Sequence, residues 1–446
     1  MAKEKSVRRR RRPRDNEDYS ADMYNAITED DPDRLARLLD EGADVDHMFF
    51  HGMIFVSSKP VLTICCEKGR EACAKVLIDH GAEVKRPDKW GLTPLMYCMT
   101  LQYIDIAQLL LQRDPSVVKC QDHKGRTALH FAIETGNVEL VKILIASDAD
   151  VNAQERFGMT PLMMVCSSDF QNEAILLDFL LKASADVNKM SFRGKRTALQ
   201  FAAAAKRSVL VECLLNARSD PNTVDVYGRT PLTNLIWEHA RGKEQVDSET
   251  MSIIQILLLA GADLNLDLTD NCNPVFVASQ CACPFLVQYF LEKGCHPGKT
   301  SMLMAVSKGD HSSVMALLNW GFDVNMEGTL GPSKYLTNPM ILAIELGHWS
   351  IAYMLVTAGF NMYKLNIFRG DNHIPTSLLN SVNVLHHLKE LASVPKTLFH
   401  MSTLTIWRTL RSNIDVKISQ LPLPLRLQKL ICTQIFLLYT ESLYTF

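Results

Sequence analysis

The sequence lacks any uninterrupted apolar run of about 18 residues, the length a helix needs to cross a bilayer, so no membrane span is expected. A basic stretch opens the chain, but no apolar segment follows it, and no secretory signal peptide is expected. There is no Gly-rich phosphate loop and no convincing nucleophile–base set, which leaves no catalytic residue and no cofactor to name. The twelve cysteines contain no Cys-x-x-Cys pair. Cys272, Cys281, Cys283, Cys295 and His296 crowd one stretch, but a zinc ion there would have to break the helical pattern that runs through them, so no metal site is expected. Most cysteines instead sit within apolar helical patterns, as Cys65, Cys66, Cys166 and Cys213 do. Reduced cysteines behave in this way as small core residues, and the compartment expected is intracellular and reducing, hence cytoplasmic.

What is present describes a folded chain: 446 residues, 47% hydrophobic and 22% charged. The net charge of −2 is unevenly spread, because residues 1–14 carry +7 and leave −9 for the rest. A mildly acidic body does not invite nucleic acid. The run Arg8 to Arg12 is open to two readings, a nuclear localisation signal or phosphate-binding patch on one side and an ordinary solvated tail on the other.

The chain repeats itself at a period near 33 residues. Thr-Pro-Leu or Thr-Ala-Leu begins at Thr93, Thr127, Thr160, Thr197 and Thr230, with spacings of 34, 33, 37 and 33. After each come an apolar helix, a polar break, a leucine-rich helix and a phrase like Gly-Ala-Asp-Val-Asn, as at Gly42 to Asp46, Asp148 to Asn152 and Gly261 to Asn265. Threonine before a helix can cap an orphan N–H, proline loses nothing at the first helical position, and glycine closes the second helix in a left-handed conformation. Aspartate and asparagine after it suit a turn. One such pair cannot bury its apolar face alone, which is why such units come in stacks.

These residues resemble the ankyrin repeat family. The best copy runs from Gly125-Arg126-Thr127-Ala128-Leu129-His130 through Val141 to Leu144 and on to Asp150-Val151-Asn152. The resemblance implies an all-α, ankyrin-repeat solenoid of helix pairs joined by β-hairpin loops, with about ten copies over residues 19–362 behind a basic tail at 1–18. Degenerate copies start near Tyr19, Lys59, Asn271, Lys299 and Asn338. Three stretches break the rhythm and read as loops or lengthened repeats: His47 to Ser58, Trp237 to Thr250 and Glu327 to Thr337. His130 stands where the family uses histidine to tie loops together. Aromatics precede the repeat glycines at Trp90, Phe157 and Tyr227, with Phe192 one place earlier. They are candidate substrate-binding residues on the hairpin tips, and equally they can pack tip to tip to hold the hairpins in register.

Residues 363–394 read as a joining segment with some helix, and Pro395 starts a different pattern. Leu398, Ser402 and Ile406 fall on one helical stripe, and Leu421-Pro422-Leu423-Pro424 is an extended apolar stretch. Together they resemble a SOCS box, a small helical module, over residues 395–435, with an apolar, aromatic tail at 436–446 for which we have no physical account. The resemblance implies that Thr397, Leu398, Ser402 and Ile406 bind Elongin C, which brings Elongin B. Serine stands at 402 where the family has cysteine. It also implies that Leu421, Pro422, Leu423 and Pro424 select the cullin, usually Cullin-5 with its RING partner. The expected function is then that of a non-catalytic substrate adaptor of a ubiquitin ligase, holding a protein substrate on its ankyrin repeats. The rival is a plain ankyrin scaffold, cytoplasmic or nuclear, whose C-terminus only caps the stack. Residues 395–427 discriminate the two.

Overall fold

Apolar phrases of seven to ten residues are too short to be stable helices in isolation; here they fold as antiparallel pairs that lean on their neighbours. The computed structural model describes residues 16–51, 57–169, 172–266, 269–329 and 337–360. Among them ten helix pairs follow one another. The first five are α1 (Asn16–Glu29) with α2 (Pro32–Asp40), α3 (Val61–Lys68) with α4 (Glu71–Asp79), α5 (Pro94–Leu101) with α6 (Ile104–Arg113), α7 (Ala128–Glu134) with α8 (Val138–Ala146), and α9 (Pro161–Ser167) with α10 (Glu173–Lys182). The next five are α11 (Ala198–Ala204) with α12 (Ser208–Asn216), α13 (Pro231–His239) with α14 (Ser248–Leu259), α15 (Pro274–Gln280) with α16 (Pro284–Glu292), α17 (Ser301–Ser307) with α18 (His311–Trp320), and α19 (Pro339–Glu345) with α20 (Trp349–Thr357). The chain divides into two compact units, residues 1–198 and 199–446.

In the first unit the leading helices pack in the order α1, α3, α5, α7, α9, and the trailing helices in the order α2, α4, α6, α8, α10. In the second, α13, α15, α17 and α19 form one row, while α12 packs on α14 and α16 on α18, which packs on α20. Leucines at matching places fill the seams: Leu95, Leu129 and Leu162 from leading helices, Leu110, Leu144 and Leu180 from trailing ones, all buried. Thr160 Oγ1 accepts from the Met163 N–H and Thr230 Oγ1 from the Thr233 N–H, each at 3.2 Å, with Pro161 and Pro231 at the first helical position. Trailing helices are capped by other residues, Asn137 and Asp247 among them.

The phrase that closes each repeat does more than turn the chain. Asn152 Oδ1 accepts the Asp186 N–H at 2.7 Å while its amide donates to the Ser184 carbonyl at 3.4 Å. Asn222 makes the same pair of bonds to Asp263 and Gly261, and Asn265 to His296 and Gly294. Each asparagine thus ties its own repeat to the next one. The left-handed residue after the trailing helix is glycine at Gly42, Gly81 and Gly261, with φ of 104°, 90° and 89°. Asp148, Ser184 and Arg218 take the same conformation, each at φ 65°, without being glycine.

The irregular stretches resolve into specific devices. His47 to Ser58 is not simply a loop: β1 (Met48–His51) pairs antiparallel with β2 (Ser57–Pro60), and Phe49 tucks its ring against Tyr24 and His47. Trp237 to Thr250, expected as a loop or a lengthened repeat, is a lengthened repeat whose ends are helical. Trp237 lies in α13 and Ser248 to Thr250 open α14, so the true break is Ala240 to Asp247. Trp237 continues the capped helix α13, and its ring lies 4.0 Å under the Arg229 guanidinium. The 37-residue spacing after Thr160 arises from two more residues between its helices, one more in α10 and one more in the following tip than in the preceding repeat. In the third stretch, Gly328 and Thr337 exchange backbone hydrogen bonds of 2.9 and 2.8 Å. Of the basic tail expected over residues 1–18, the last three residues open α1 and the rest lie outside the described residues, as do the joining segment and the whole of residues 395–446.

An L-residue held left-handed costs about 1–2 kcal/mol, most of which glycine escapes. Ser184→Gly is therefore expected to raise stability by about 1 kcal/mol, read as a higher urea midpoint at unchanged slope.

Candidate functional site

Four of the loops that lead into helix pairs are tight turns with a carboxylate at the base. Asp88 Oδ1 accepts the N–H groups of Trp90 and Leu92, both at 2.9 Å. Asp122 does the same for Lys124 and Arg126, Glu155 for Phe157 and Met159, and Asp225 for Tyr227 and Arg229. All four acids are buried. Asp88 Oδ2 also accepts the Tyr97 hydroxyl at 2.8 Å, and this bond together with burial pushes the Tyr97 phenol well above its usual range. Asp122 Oδ2 accepts from Arg126 Nε at 2.9 Å. Charged hydrogen bonds of this kind order a turn more firmly than a neutral one.

The tips of the first unit are joined to one another. His123 N–H donates to the Trp90 carbonyl (3.1 Å), Arg156 N–H to the Lys124 carbonyl (2.7 Å) and Phe192 N–H to the Phe157 carbonyl (2.9 Å). The tip glycines make this approach practicable. A Cβ on Gly158, at φ 79°, would lie 2.2 Å from Phe192 N and 2.6 Å from its ring, and one on Gly91 would lie 2.8 Å from His123 N. The fourth tip is one residue longer, with Ser191 Oγ in the acid's place accepting the Arg196 N–H, and its left-handed residue is Lys195 at φ 49° rather than Gly194.

Of the aromatics singled out in the sequence, Trp90, Phe157 and Phe192 share this row and stand 46%, 47% and 63% exposed. Each remains partly engaged. Lys89 Nζ lies 4.3 Å from the centre of the Trp90 ring, Arg193 lies 5.4 Å from Phe157, and Phe192 covers Gly158. Tyr227 belongs to the second unit, is 60% exposed, and has the Arg229 guanidinium 5.5 Å from its ring. Sequence reasoning missed the four buried acids, although each stands three residues before its tip glycine: Asp88 to Gly91, Asp122 to Gly125, Glu155 to Gly158 and Asp225 to Gly228.

Thr127 N–H donates to His130 Nδ1 at 3.1 Å, which leaves Nε2 to carry the proton and donate to the Met159 carbonyl at 3.3 Å, at the foot of the next hairpin. In the second unit Gln200 Nε2 reaches the corresponding Arg229 carbonyl at 2.8 Å. The crowded cysteines point at backbone instead of at one another. Cys272 Sγ donates to the Gly228 carbonyl at 2.9 Å, Cys295 Sγ to Leu264 at 3.2 Å, and Cys281 and Cys283 to Ile236 and Glu244 at 3.8 and 3.9 Å. Burial pushes the Cys281 thiol up to about 11 and that of Cys295 up to about 12, so both are protonated at neutral pH. Among the described residues no three His, Cys, Asp or Glu side chains are grouped to hold a metal ion, and no helix is long and apolar enough to cross a membrane. The residues expected to bind Elongin C and the cullin lie outside the described residues.

Residues 23–119 and 115–191 match the family model described as ankyrin repeats, three copies. The helix pairs within residues 23–191 are thus matched as ankyrin repeats, and the later pairs share their fold. Inversin from Canis lupus familiaris is 31% identical over 188 residues, 42% of this chain and 17% of that protein. The E3 ubiquitin-protein ligase KEG from Arabidopsis thaliana is 27% identical over 277 residues, 60% of this chain and 16% of that protein. The chain therefore spans only about a sixth of the length of these two relatives. Among solved structures, the human ASB11 ankyrin repeat domain aligns with a TM-score of 0.42 at 22% identity, covering 54% of this chain and 98% of that one. Ankyrin repeats mediate protein–protein interaction, and the exposed tips are among the surfaces that the stacking leaves uncovered.

The tie made by His130 has a pH signature. Burial lowers its pKa below the ordinary 6.5, and a protonated Nδ1 would confront the Thr127 N–H. Below pH 6.5 the unfolded chain binds a proton that the folded chain refuses, so this contribution is full above that pH and is lost as pH falls. His130→Gln keeps a donor for Met159 but does not titrate. The wild type is expected to lose up to about 1.4 kcal/mol more than the variant between pH 7.5 and 5.5, measured by urea melts at each pH.

Proposed function

We propose that this chain is a substrate-recognition adaptor of an Elongin B/C–Cullin-5 RING ubiquitin ligase. The ankyrin repeats hold a protein substrate and the C-terminal module docks on the ligase core. One observation carries the proposal: after the repeats, Leu398, Ser402 and Ile406 at helical spacing are followed in order by Leu421-Pro422-Leu423-Pro424. Either motif alone occurs in ordinary proteins, whereas both, in this order behind an ankyrin array, fit one architecture. Two further facts support it. KEG, a relative over 60% of this chain, is by name a ubiquitin ligase, so repeats of this kind do occur within such enzymes. The array also presents rigid aromatics on its tips, and aromatics supply large contact area with few rotors to freeze.

The chain does no chemistry in this role. Ubiquitin transfer belongs to the RING subunit and its conjugating enzyme, and the adaptor raises the effective concentration of substrate beside them. The protonated, buried thiols suit a reducing compartment.

A leucine seated in an apolar pocket contributes about 1.5–3 kcal/mol, and an unpaired carboxylate buried there is a further penalty. Leu398→Asp is expected to abolish co-purification with Elongin C while leaving the melting temperature of the array unchanged. Wild-type recovery of Elongin C would remove the first motif from the proposal. Replacing Leu421 to Pro424 by alanine should cost cullin recruitment and spare Elongin binding.

A further inference from the structure

The four linked tips of the first unit separate their charges by depth. The acids Asp88, Asp122 and Glu155 are buried, and their carboxylates are occupied by backbone N–H groups. The cations Lys89, Lys124, Arg156, Arg193 and Lys195 lie outward, partly or fully exposed. Among the described residues none of these five has a carboxylate within ion-pair distance; Lys89 and Arg193 lean only on the Trp90 and Phe157 rings. Elsewhere in the unit Arg34, Arg70, Lys85, Lys119, Lys142 and Lys182 have carboxylate partners, as Arg126 does within its own tip, while other partly or fully exposed cations such as Lys75 and Arg86 stand apart from this row. The strip therefore alternates unmatched cations with half-exposed aromatics along a backbone-bonded row, in a chain whose net charge beyond residue 14 is −9.

We infer that this strip, Lys89 and Trp90 through Lys124, Arg156 and Phe157 to Phe192 and Arg193, docks an extended acidic segment of a protein partner. The inference rests on the array being the substrate-holding part and names the class of substrate it holds. Charge complementarity selects the sign, because carboxylates gain cations that no intramolecular acid already claims. The aromatics favour a peptide with apolar side chains between its acids. Packed helices repeat at about 8–10 Å, so four tips span about 30 Å. An extended chain advances about 3.3 Å per residue, which corresponds to roughly nine residues with a carboxylate near every third.

The test is display selection of random dodecapeptides on the purified full chain, run in parallel on Lys124→Glu/Arg156→Glu. Both positions are exposed, and the variant should melt with the wild type; should it melt early, Lys124→Gln/Arg156→Gln replaces it. The wild-type pool is expected to be enriched about threefold in Asp and Glu, and the best selected peptide to bind the variant about tenfold more weakly. Its affinity should also fall steeply between about 50 and 300 mM salt. A pool without acidic bias, or one whose acidic bias survives in the variant, overturns the inference. So does an oligothymidylate that binds more tightly than the best peptide and is lost in the variant, which would make the strip a nucleic-acid surface. Capture of Elongin C is scored on the same preparation. Acidic-peptide binding without Elongin capture defeats the ligase proposal alone, and Elongin capture without acidic-peptide binding defeats the strip alone.

Discussion

A helix of seven to ten residues with one apolar face has nowhere within its own repeat to hide that face, and the whole architecture follows from this. The leading and trailing helices must each find the equivalent helix of the next repeat, as α5 finds α7 and α6 finds α8. Once they do, the loops between repeats are forced into register at one side. Loops brought that close would crowd unpaired N–H groups against each other. The buried carboxylates of Asp88, Asp122, Glu155 and Asp225 and the tip-to-tip backbone bonds answer this requirement. The result is a row of backbone-bonded tips whose outward side chains stand partly in solvent.

Much of this was legible in the residues. Thr160 with Pro161, and Thr230 with Pro231, announce helix starts through chemistry that acts within four residues, and they cap as expected. The glycines that close trailing helices were equally readable. What the sequence concealed were the interactions that join one repeat to the next. The asparagine at position 152 looks like a turn former, yet its amide bridges to Asp186 and Ser184 more than 30 residues on. Trp237 looks like part of a polar insertion because its partner, Arg229, sits in the preceding hairpin. His130 was the exception, since the family resemblance assigned it a tie between loops before any geometry was known.

The candidate site was legible in outline for a simple reason. An aromatic beside a glycine in a tight hairpin cannot reach the core, and Trp90, Phe157 and Phe192 are half-exposed or more. Phe192 packs on Gly158 with its inner face while most of the residue meets solvent, so tip-to-tip packing leaves it surface to offer. The charge pattern was harder to see. Read linearly, Asp88 and Lys89 cancel, as do Glu155 and Arg156. Only depth distinguishes the acid that is hydrogen-bonded underneath from the base that is left on top.

The bridging place is not asparagine in every repeat: the second repeat has Lys85 there, paired with Asp114. Asp46 occupies the place held by Asn152, Asn222 and Asn265, and it accepts the Glu83 N–H at 2.9 Å as they accept theirs. A carboxylate has no N–H to return, so this position sends one hydrogen bond across the seam where the asparagines send two, and Arg70 and Cys73 reach back to the Thr28 and Ala26 carbonyls of the first repeat. Fraying begins where the fewest bonds must break. Among the described helices α1 and α2 pack on a neighbouring pair at one side only, so their amides should exchange faster than those of the interior helices of the unit.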